Sequence, residues 1–117
     1  MIFYAKSKVE NCREKAQGGD GQILGRHPFK AEDRPENTSF KMIGDMTLAP
    51  GSSIGFHVHE KDEEIYIITA GQGIYTDADG SKFPVTAGDV TLCRQGEGHA
   101  LANTGEGPLT FTAVITE

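Results

Sequence analysis

The most constraining feature of this sequence is a pair of histidines, His57 and His59, followed after a charged turn by Glu64. Residues two apart on an extended strand point to the same face, so both imidazoles would share one side. Glu64 opens the next apolar run, and a hairpin through residues 60–63 would bring its carboxylate beside them. Two imidazoles and a carboxylate on adjacent strands are a typical ligand set for divalent Mn, Fe, Ni, Cu or Zn.

A third histidine lies in a second stretch, residues 88–103, which predicts a strand, a glycine-rich turn and another strand. His99 opens the last of these strands. The alternation of a strand places its side chain on the same face as those of Leu101 and Asn103. This stretch can therefore supply one more imidazole to an interior site.

Both stretches resemble the two motifs of the cupin family. The first family motif has the form Gly-X5-His-X-His-X4-Glu-X6-Gly, and the second has the form Gly-X5-Pro-X-Gly-X2-His-X3-Asn. One position departs, because Arg94 stands where the family usually has proline. The matching residues are Gly51, His57, His59, Glu64 and Gly71 in the first motif, and Gly88, Gly96, His99 and Asn103 in the second.

The resemblance implies an all-β fold, a double-stranded β-helix or jelly-roll barrel, and the rest of the sequence suits it. Fifteen glycines favour many short strands joined by tight turns, and no segment has a sustained helical period. We therefore predict a single cupin-like domain over residues 1–117. Residues 1–39 would form an amino-terminal arm and strands, and residues 40–117 the barrel core, with the motifs at 51–71 and 88–103.

Strand parity in such a barrel points four side chains inward, those of His57, His59, Glu64 and His99, and the resemblance implies the same four as ligands of one divalent metal ion. Three neutral imidazoles and one carboxylate leave two positions of an octahedron open for water, oxygen or a bidentate substrate. Because the set has no thiolate, Mn or Fe is favoured, while Ni and Zn also accept these donors. Protons compete for imidazole, so we expect binding to weaken below about pH 6.5.

Two further residues, Tyr66 and Arg94, are candidates for catalytic roles. Tyr66 shares the face of Glu64, so its hydroxyl would bind a ligand or donate a proton, unless it only packs in the core. The guanidinium of Arg94 would clamp a carboxylate bidentately, the alternative being a solvent-facing side chain.

His27 is interpreted as a surface histidine, with a substrate contact near the barrel mouth as the alternative. The remaining inward residues make the cavity apolar, which suits a small substrate held by the metal: Met42, Met46, Ile68 and Leu101.

The net charge of −6 argues against nucleic acid or an anionic membrane as a partner. No apolar run approaches the length of a membrane span, and the amino end lacks the pattern of a signal peptide. Cys12 and Cys93 are too few to indicate a disulfide framework, so we expect reduced thiols and a cytoplasmic location.

Two classes of function fit the predicted site. The leading hypothesis is a metal-dependent enzyme acting on a small oxygen-rich molecule, and the resemblance implies a dioxygenase, an oxalate-type decarboxylase or an isomerase. The second is a binding module that holds a metal-bound ligand or sugar without turnover. One fold and one metal set serve many chemistries, so the sequence does not choose among them. In either case we expect a small-molecule ligand, and a carboxylate suits the site.

The same parity predicts a homodimer. Phe56, Val58, Ile65 and Ile67 would face outward on strands that we expect to be neighbours, and together they would form an apolar patch. A soluble monomer seldom leaves such a patch exposed, and pairing of this face about a twofold axis would cover it. Residues 1–15 include few apolar side chains with which to cover the patch within one chain. Exchange of this amino-terminal arm between two copies would cover it equally well.

Overall fold

The computed structural model describes residues 1–117, and nearly all of its regular secondary structure is β-strand. Three short 3₁₀ segments are the only helical elements, at Ala5–Ser7, Ala16–Gly18 and Ala31–Asp33. The ten strands, in chain order, are β1 (Val9–Glu14), β2 (Gln22–His27), β3 (Phe40–Leu48), β4 (Ser53–Val58), β5 (Glu63–Ala70), β6 (Gln72–Thr76), β7 (Lys82–Thr86), β8 (Val90–Cys93), β9 (Gly98–Asn103) and β10 (Leu109–Thr116).

The strands form two antiparallel sheets, which enclose the core between them. One sheet has six strands in the order β1-β2-β3-β10-β5-β8, and the other has four in the order β4-β9-β6-β7. In β10, the buried Leu109, Phe111 and Ala113 alternate with less buried residues, as expected for a strand with one face on the core. This architecture confirms the predicted all-β jelly-roll fold.

The two motif strands do not form the hairpin that the sequence suggested. β4 pairs with β9 in the four-stranded sheet, whereas β5 pairs with β10 and β8 in the six-stranded sheet. The segment between them therefore crosses from one sheet to the other. As a result, Glu64 faces His57 across the barrel interior, and the neighbour of His57 within its own sheet is His99.

The amino-terminal region continues the six-stranded sheet. β1 and β2 form an antiparallel hairpin, and β2 joins β3, so that β1 becomes an edge strand. The turn of this hairpin, Ala16–Gly18, packs directly against β4. A Cβ atom at Gly55 would collide with the carbonyl oxygen of Gln17 and lie 2.9 Å from the amide nitrogen of Gly19. The missing side chain of Gly55 thus allows the hairpin turn to approach the barrel mouth.

The structure corrects the predicted apolar patch. Phe56 and Val58 are exposed on the outer face of the four-stranded sheet, whereas Ile65 and Ile67 lie on the outer face of the other sheet. The four side chains therefore do not form one surface. The error follows directly from the assumption that β4 and β5 are neighbours.

The outer face of the six-stranded sheet carries a different apolar surface. Ile65 lies opposite Val114 on one side and Leu92 on the other, and Val114 lies opposite Ile43. In the next row, Ile67 lies opposite Val90. We call these six residues the outer apolar face: Ile43, Ile65, Ile67, Val90, Leu92 and Val114.

No helix in the structure has the length and apolar character needed to cross a membrane. Cys12 is exposed and Cys93 is buried, and both are free thiols. The cytoplasmic location inferred from the sequence stays a prediction.

We predict that Gly55→Ala destabilises the protein, because the new methyl group overlaps the backbone of the hairpin turn. Overpacking of this kind costs about 1–3 kcal/mol of unfolding free energy. Gly107→Ala is the matched control, since a Cβ atom there has no neighbour within 4 Å. Urea denaturation of both variants provides the measurement. Equal midpoints for Gly55→Ala and the wild type would contradict the described contact.

Candidate metal centre

Four side chains from both sheets converge inside the barrel: those of His57, His59, Glu64 and His99, whose ligand atoms all lie within 4.8 Å of one another. The Nε2 atoms of His59 and His99 are 3.2 Å apart. Each of these atoms lies 3.1 Å from Oε1 of Glu64. His99 is fully buried, and Glu64 is almost so.

These separations fit a bound metal ion. Donor atoms bound to one ion at about 2.1 Å lie about 3.0 Å apart when they occupy neighbouring positions of an octahedron. The three distances among His59, His99 and Glu64 are close to that value. Two imidazole lone pairs facing each other at this distance also repel unless a proton or a cation lies between them. The cluster is therefore suited to a divalent cation.

The opposite nitrogen of each imidazole has its own partner. Nδ1 of His57 lies 2.8 Å from the carbonyl oxygen of Gly55, and Nδ1 of His59 lies 2.6 Å from the carboxylate of Asp62. Nδ1 of His99 lies 3.0 Å from the hydroxyl of Tyr75. A carbonyl or carboxylate oxygen can only accept, so Nδ1 of His57 and of His59 donates, and the neutral ring then carries its lone pair on Nε2. The Tyr75 hydroxyl can accept from Nδ1 of His99 in the same way. All three rings are thus oriented with Nε2 toward the common centre.

The electrostatics of the cluster favour an ionised Glu64 and a neutral His57. Burial raises the pKa of Glu64, but hydrogen bonds from His59 and His99 outweigh it and hold the pKa below its usual value. Burial lowers the pKa of His57, which favours the neutral imidazole. The hydrogen bond to Glu64 raises the pKa of His59, which favours the protonated ring when no cation lies between the two groups. The ionised Glu64 supplies the single negative charge of the four-residue cluster.

Tyr66 lies at the cluster, as the sequence predicted. Its hydroxyl is 3.4 Å from Nε2 of His99, and its ring stacks on that imidazole with centroids 4.8 Å apart. Its other face packs on Phe111. Burial, followed by the charge of Glu64, raises the pKa of Tyr66 well above its usual value, so the phenol stays protonated. Tyr66 therefore packs in the core and also directs its hydroxyl toward the cluster, and its role toward a ligand stays a prediction.

Cys93 faces the same interior, since it lies opposite Glu64 in the pairing of β5 with β8. Burial raises the pKa of the Cys93 thiol to about 11, and the charge of Glu97 adds to the effect. Cys93 is not one of the four residues whose ligand atoms lie within 4.8 Å of one another, so the donors of the cluster are nitrogen and oxygen only.

The cluster opens into a cavity of about 260 Å³. Met42 and Met46 line it, as predicted, whereas Ile68 and Leu101 are packed into the core and do not reach it. A cavity of this size holds a small ligand. Its lining residues are Asn11, Arg13, Gln17, His27, Met42, Met46, Ile54, His57, His59, Glu64, Tyr66, Phe111, Ala113 and Ile115.

Arg94 is not among the residues that line this cavity. Its side chain is 71% exposed, and its guanidinium donates two hydrogen bonds to the carboxylate of Glu97, at 2.9 and 3.1 Å. These bonds lower the pKa of Glu97 to about 2. The expectation that Arg94 clamps a ligand does not agree with this placement, because the guanidinium already binds a carboxylate of its own turn. The solvent-facing alternative describes its position.

His27 is half-buried at the cavity wall, not on the open surface. Its Nδ1 lies 2.8 Å from the carbonyl oxygen of Ile43, and its ring occupies the space that side chains at Gly25 and Gly44 would fill. It also lines a neighbouring cavity of about 390 Å³, which contains none of the four cluster residues. The structure thus favours the alternative that placed His27 near the barrel mouth.

Several residues of the site are not among those predicted from the sequence. Asp62 lies in the charged turn three residues after His59, and Tyr75 lies on β6, where alternation already turns it inward. Both could have been proposed as histidine partners from their position. Asn11, Arg13 and Gln17 had no comparable signal, because their place at the cavity depends on how the hairpin packs.

Comparison with known proteins agrees with the two motifs. Residues 44–115 match the family described as cupin domain. The chain is 39% identical over 108 residues to an oxalate-binding protein of Thermotoga maritima, covering 92% of this chain and 84% of that protein. The crystal structure of a predicted oxalate decarboxylase from Thermotoga maritima superposes with a TM-score of 0.88, at 34% identity, over 99% and 98% of the two chains. A gentisate 1,2-dioxygenase from a Ralstonia species is 32% identical over 73 residues, 62% of this chain but 20% of that protein. Together with the fold and the inward histidine cluster, these similarities establish that the chain belongs to the cupin family.

Proposed function

We propose that this cupin binds one divalent metal ion through His57, His59, Glu64 and His99. The observation that carries the proposal is the convergence of three Nε2 atoms and one carboxylate in a buried cluster. The hydrogen bonds at each Nδ1 support it, because they leave every Nε2 lone pair free. Nitrogen and oxygen donors without a thiolate favour Mn or Fe, and Ni and Zn also accept them.

The ligand that we propose is a small carboxylate. A bound divalent ion would supply Lewis acidity, which holds and polarises carboxylate oxygens. The cavity of about 260 Å³ sets the size of the ligand, and its wall combines apolar side chains with polar groups that can orient a small anion. The relative from Thermotoga maritima is named an oxalate-binding protein, which supports the same class of ligand.

Binding without turnover is the function that the cavity supports best. Glu64 is the only carboxylate among the lining residues, and it belongs to the metal cluster. No second carboxylate is thus present to act as a separate general base. Catalysis is a second candidate because Tyr66 presents a protonated phenol beside the cluster and can donate a proton to a bound ligand. The reactions to test are oxalate-type decarboxylation, dioxygenation and isomerisation.

We predict that the double variant His57→Ala/His99→Ala loses its metal, because two of four donors are removed. Elemental analysis after equilibration with Mn²⁺ should show close to one ion per wild-type chain and almost none in the variant. His27→Ala is the matched control, since His27 lines the same cavity without belonging to the cluster. Full occupancy in the double variant would overturn the proposed ligand set.

We predict that the Mn²⁺- or Fe²⁺-loaded protein binds oxalate without consuming it. Calorimetry measures binding, and assays for formate and carbon dioxide measure decarboxylation of the same samples. Sustained product formation that falls in Tyr66→Phe would instead support the catalytic candidate. Absence of carboxylate binding by the metal-loaded wild type would refute the proposed ligand class.

We further propose that two copies of the chain pair through the outer apolar face. Val90 and Leu92 are 62% and 53% exposed, and they lie on β8 at the edge of the sheet. The chain does not cover this face with its own arm, because Met1, Ile2 and Tyr4 are themselves exposed. An apolar face of this kind is self-complementary about a twofold axis.

We predict that Val90→Lys/Leu92→Glu converts a dimer into a monomer, because charged groups would be buried in the interface. Phe56→Glu/Val58→Lys is the matched control, since it places similar charges on the outer face of the opposite sheet. Light scattering at micromolar concentration reports the mass of each protein. A monomeric wild type, or dissociation in the control alone, would contradict the proposed interface.

A further inference from the structure

Arg13 differs from the other three arginines of the chain in having no carboxylate partner. Arg26 lies 3.8 Å from Glu10, Arg34 pairs with Glu117, and Arg94 pairs with Glu97. Arg13 forms no such pair, although the chain carries 17 acidic residues. A guanidinium left free on so acidic a protein is available to bind an anion.

The position of Arg13 directs this free cation toward the metal centre. In the pairing of β1 with β2, Arg13 lies opposite Ile23, which is buried on the interior face. Residues directly opposite on neighbouring strands project to the same side of the sheet. Arg13 therefore lines the cavity that contains His57, His59 and Glu64, and it is the only lysine or arginine that does so.

Two amide side chains accompany Arg13 at the same wall. Asn11 lies two residues earlier on β1 and so shares its face, and Gln17 is held against β4 by the contact over Gly55. Both side chains can donate hydrogen bonds to carboxylate oxygens. The mouth of the cavity thus carries one cation and two neutral donors.

We infer that Arg13, assisted by Asn11 and Gln17, binds the second carboxylate of a small dicarboxylate whose first carboxylate is held at the metal centre. This inference rests on the proposed metal and carboxylate function. A divalent ion and the Glu64 carboxylate together leave one positive charge, which a monocarboxylate neutralises. A dicarboxylate brings one negative charge more, and the Arg13 guanidinium balances it. Arg13 is accordingly the residue that selects dianions over monoanions.

The test compares oxalate with glycolate, in which a hydroxymethyl group replaces one carboxylate. Calorimetry on the Mn²⁺-loaded protein should show that Arg13→Gln weakens oxalate binding by about 10-fold to 100-fold, the range for a hydrogen-bonded charged pair. Glycolate affinity should change much less. Arg13→Lys should recover part of the oxalate affinity, since it restores the charge without the bidentate geometry.

Arg26→Gln is the matched control, because it removes an arginine from the neighbouring strand on the opposite face of the sheet. It should leave the affinity for oxalate unchanged, and metal content should be equal in all variants. Two results would overturn the role of Arg13 but leave the proposed carboxylate function intact. One is equal oxalate affinity in the wild type and Arg13→Gln, and the other is an equal loss of affinity for oxalate and glycolate. Failure of the metal-loaded wild type to bind either anion would overturn the proposed carboxylate function as well.

Discussion

The centre of this cupin depends on one interaction, the burial of the Glu64 carboxylate between two imidazoles. An ionised carboxylate in a barrel interior is costly unless a positive partner accompanies it. The positive partner lies beside the Nε2 atoms of His59 and His99, because each of them is 3.1 Å from the same carboxylate oxygen. It is either a proton on one of the imidazoles or a cation shared by all three groups. The outer partners Gly55, Asp62 and Tyr75 hold the three imidazole rings in place. A cation that replaces the proton would find the Nε2 atoms of these rings already turned toward the centre.

The two sheets contribute different parts of the centre. His57 and His99 belong to the four-stranded sheet, while Glu64 and Tyr66 belong to the six-stranded sheet. An ion bound by all four donor residues would therefore join the sheets across the core, much as a disulfide joins two strands. Metal binding would thus be coupled to closure of the barrel, since each sheet supplies residues of the cluster that the other cannot replace.

Strand alternation predicted the inward facing of several motif residues, because parity depends only on local extension. It predicted the inward facing of His57, Glu64 and Tyr66 without knowledge of the sheets. It fails where the register shifts between Ile54 and His57, since both of these residues line the cavity. Sheet membership was not accessible in this way: β4 and β5 are consecutive and separated by a short turn, yet they belong to opposite sheets. The amino-terminal hairpin was harder still, because its place at the cavity depends on a close approach that only the missing side chain of Gly55 permits. The sequence pattern therefore identified the residues that converge in the cluster but not the wall opposite them.

The edge position of β1 has a consequence for how such a protein can change. β1 pairs with β2 alone, so its side chains contribute to the cavity while its outer edge bears no neighbouring strand. Substitutions there are tolerated more readily than substitutions in β4, β5 or β9, which hold the donors and the core together. The cavity margin on β1 and the histidine cluster thus belong to separate parts of the chain. A lineage that keeps the interior strands and varies only this margin can change the wall of the cavity without having to rebuild the cluster.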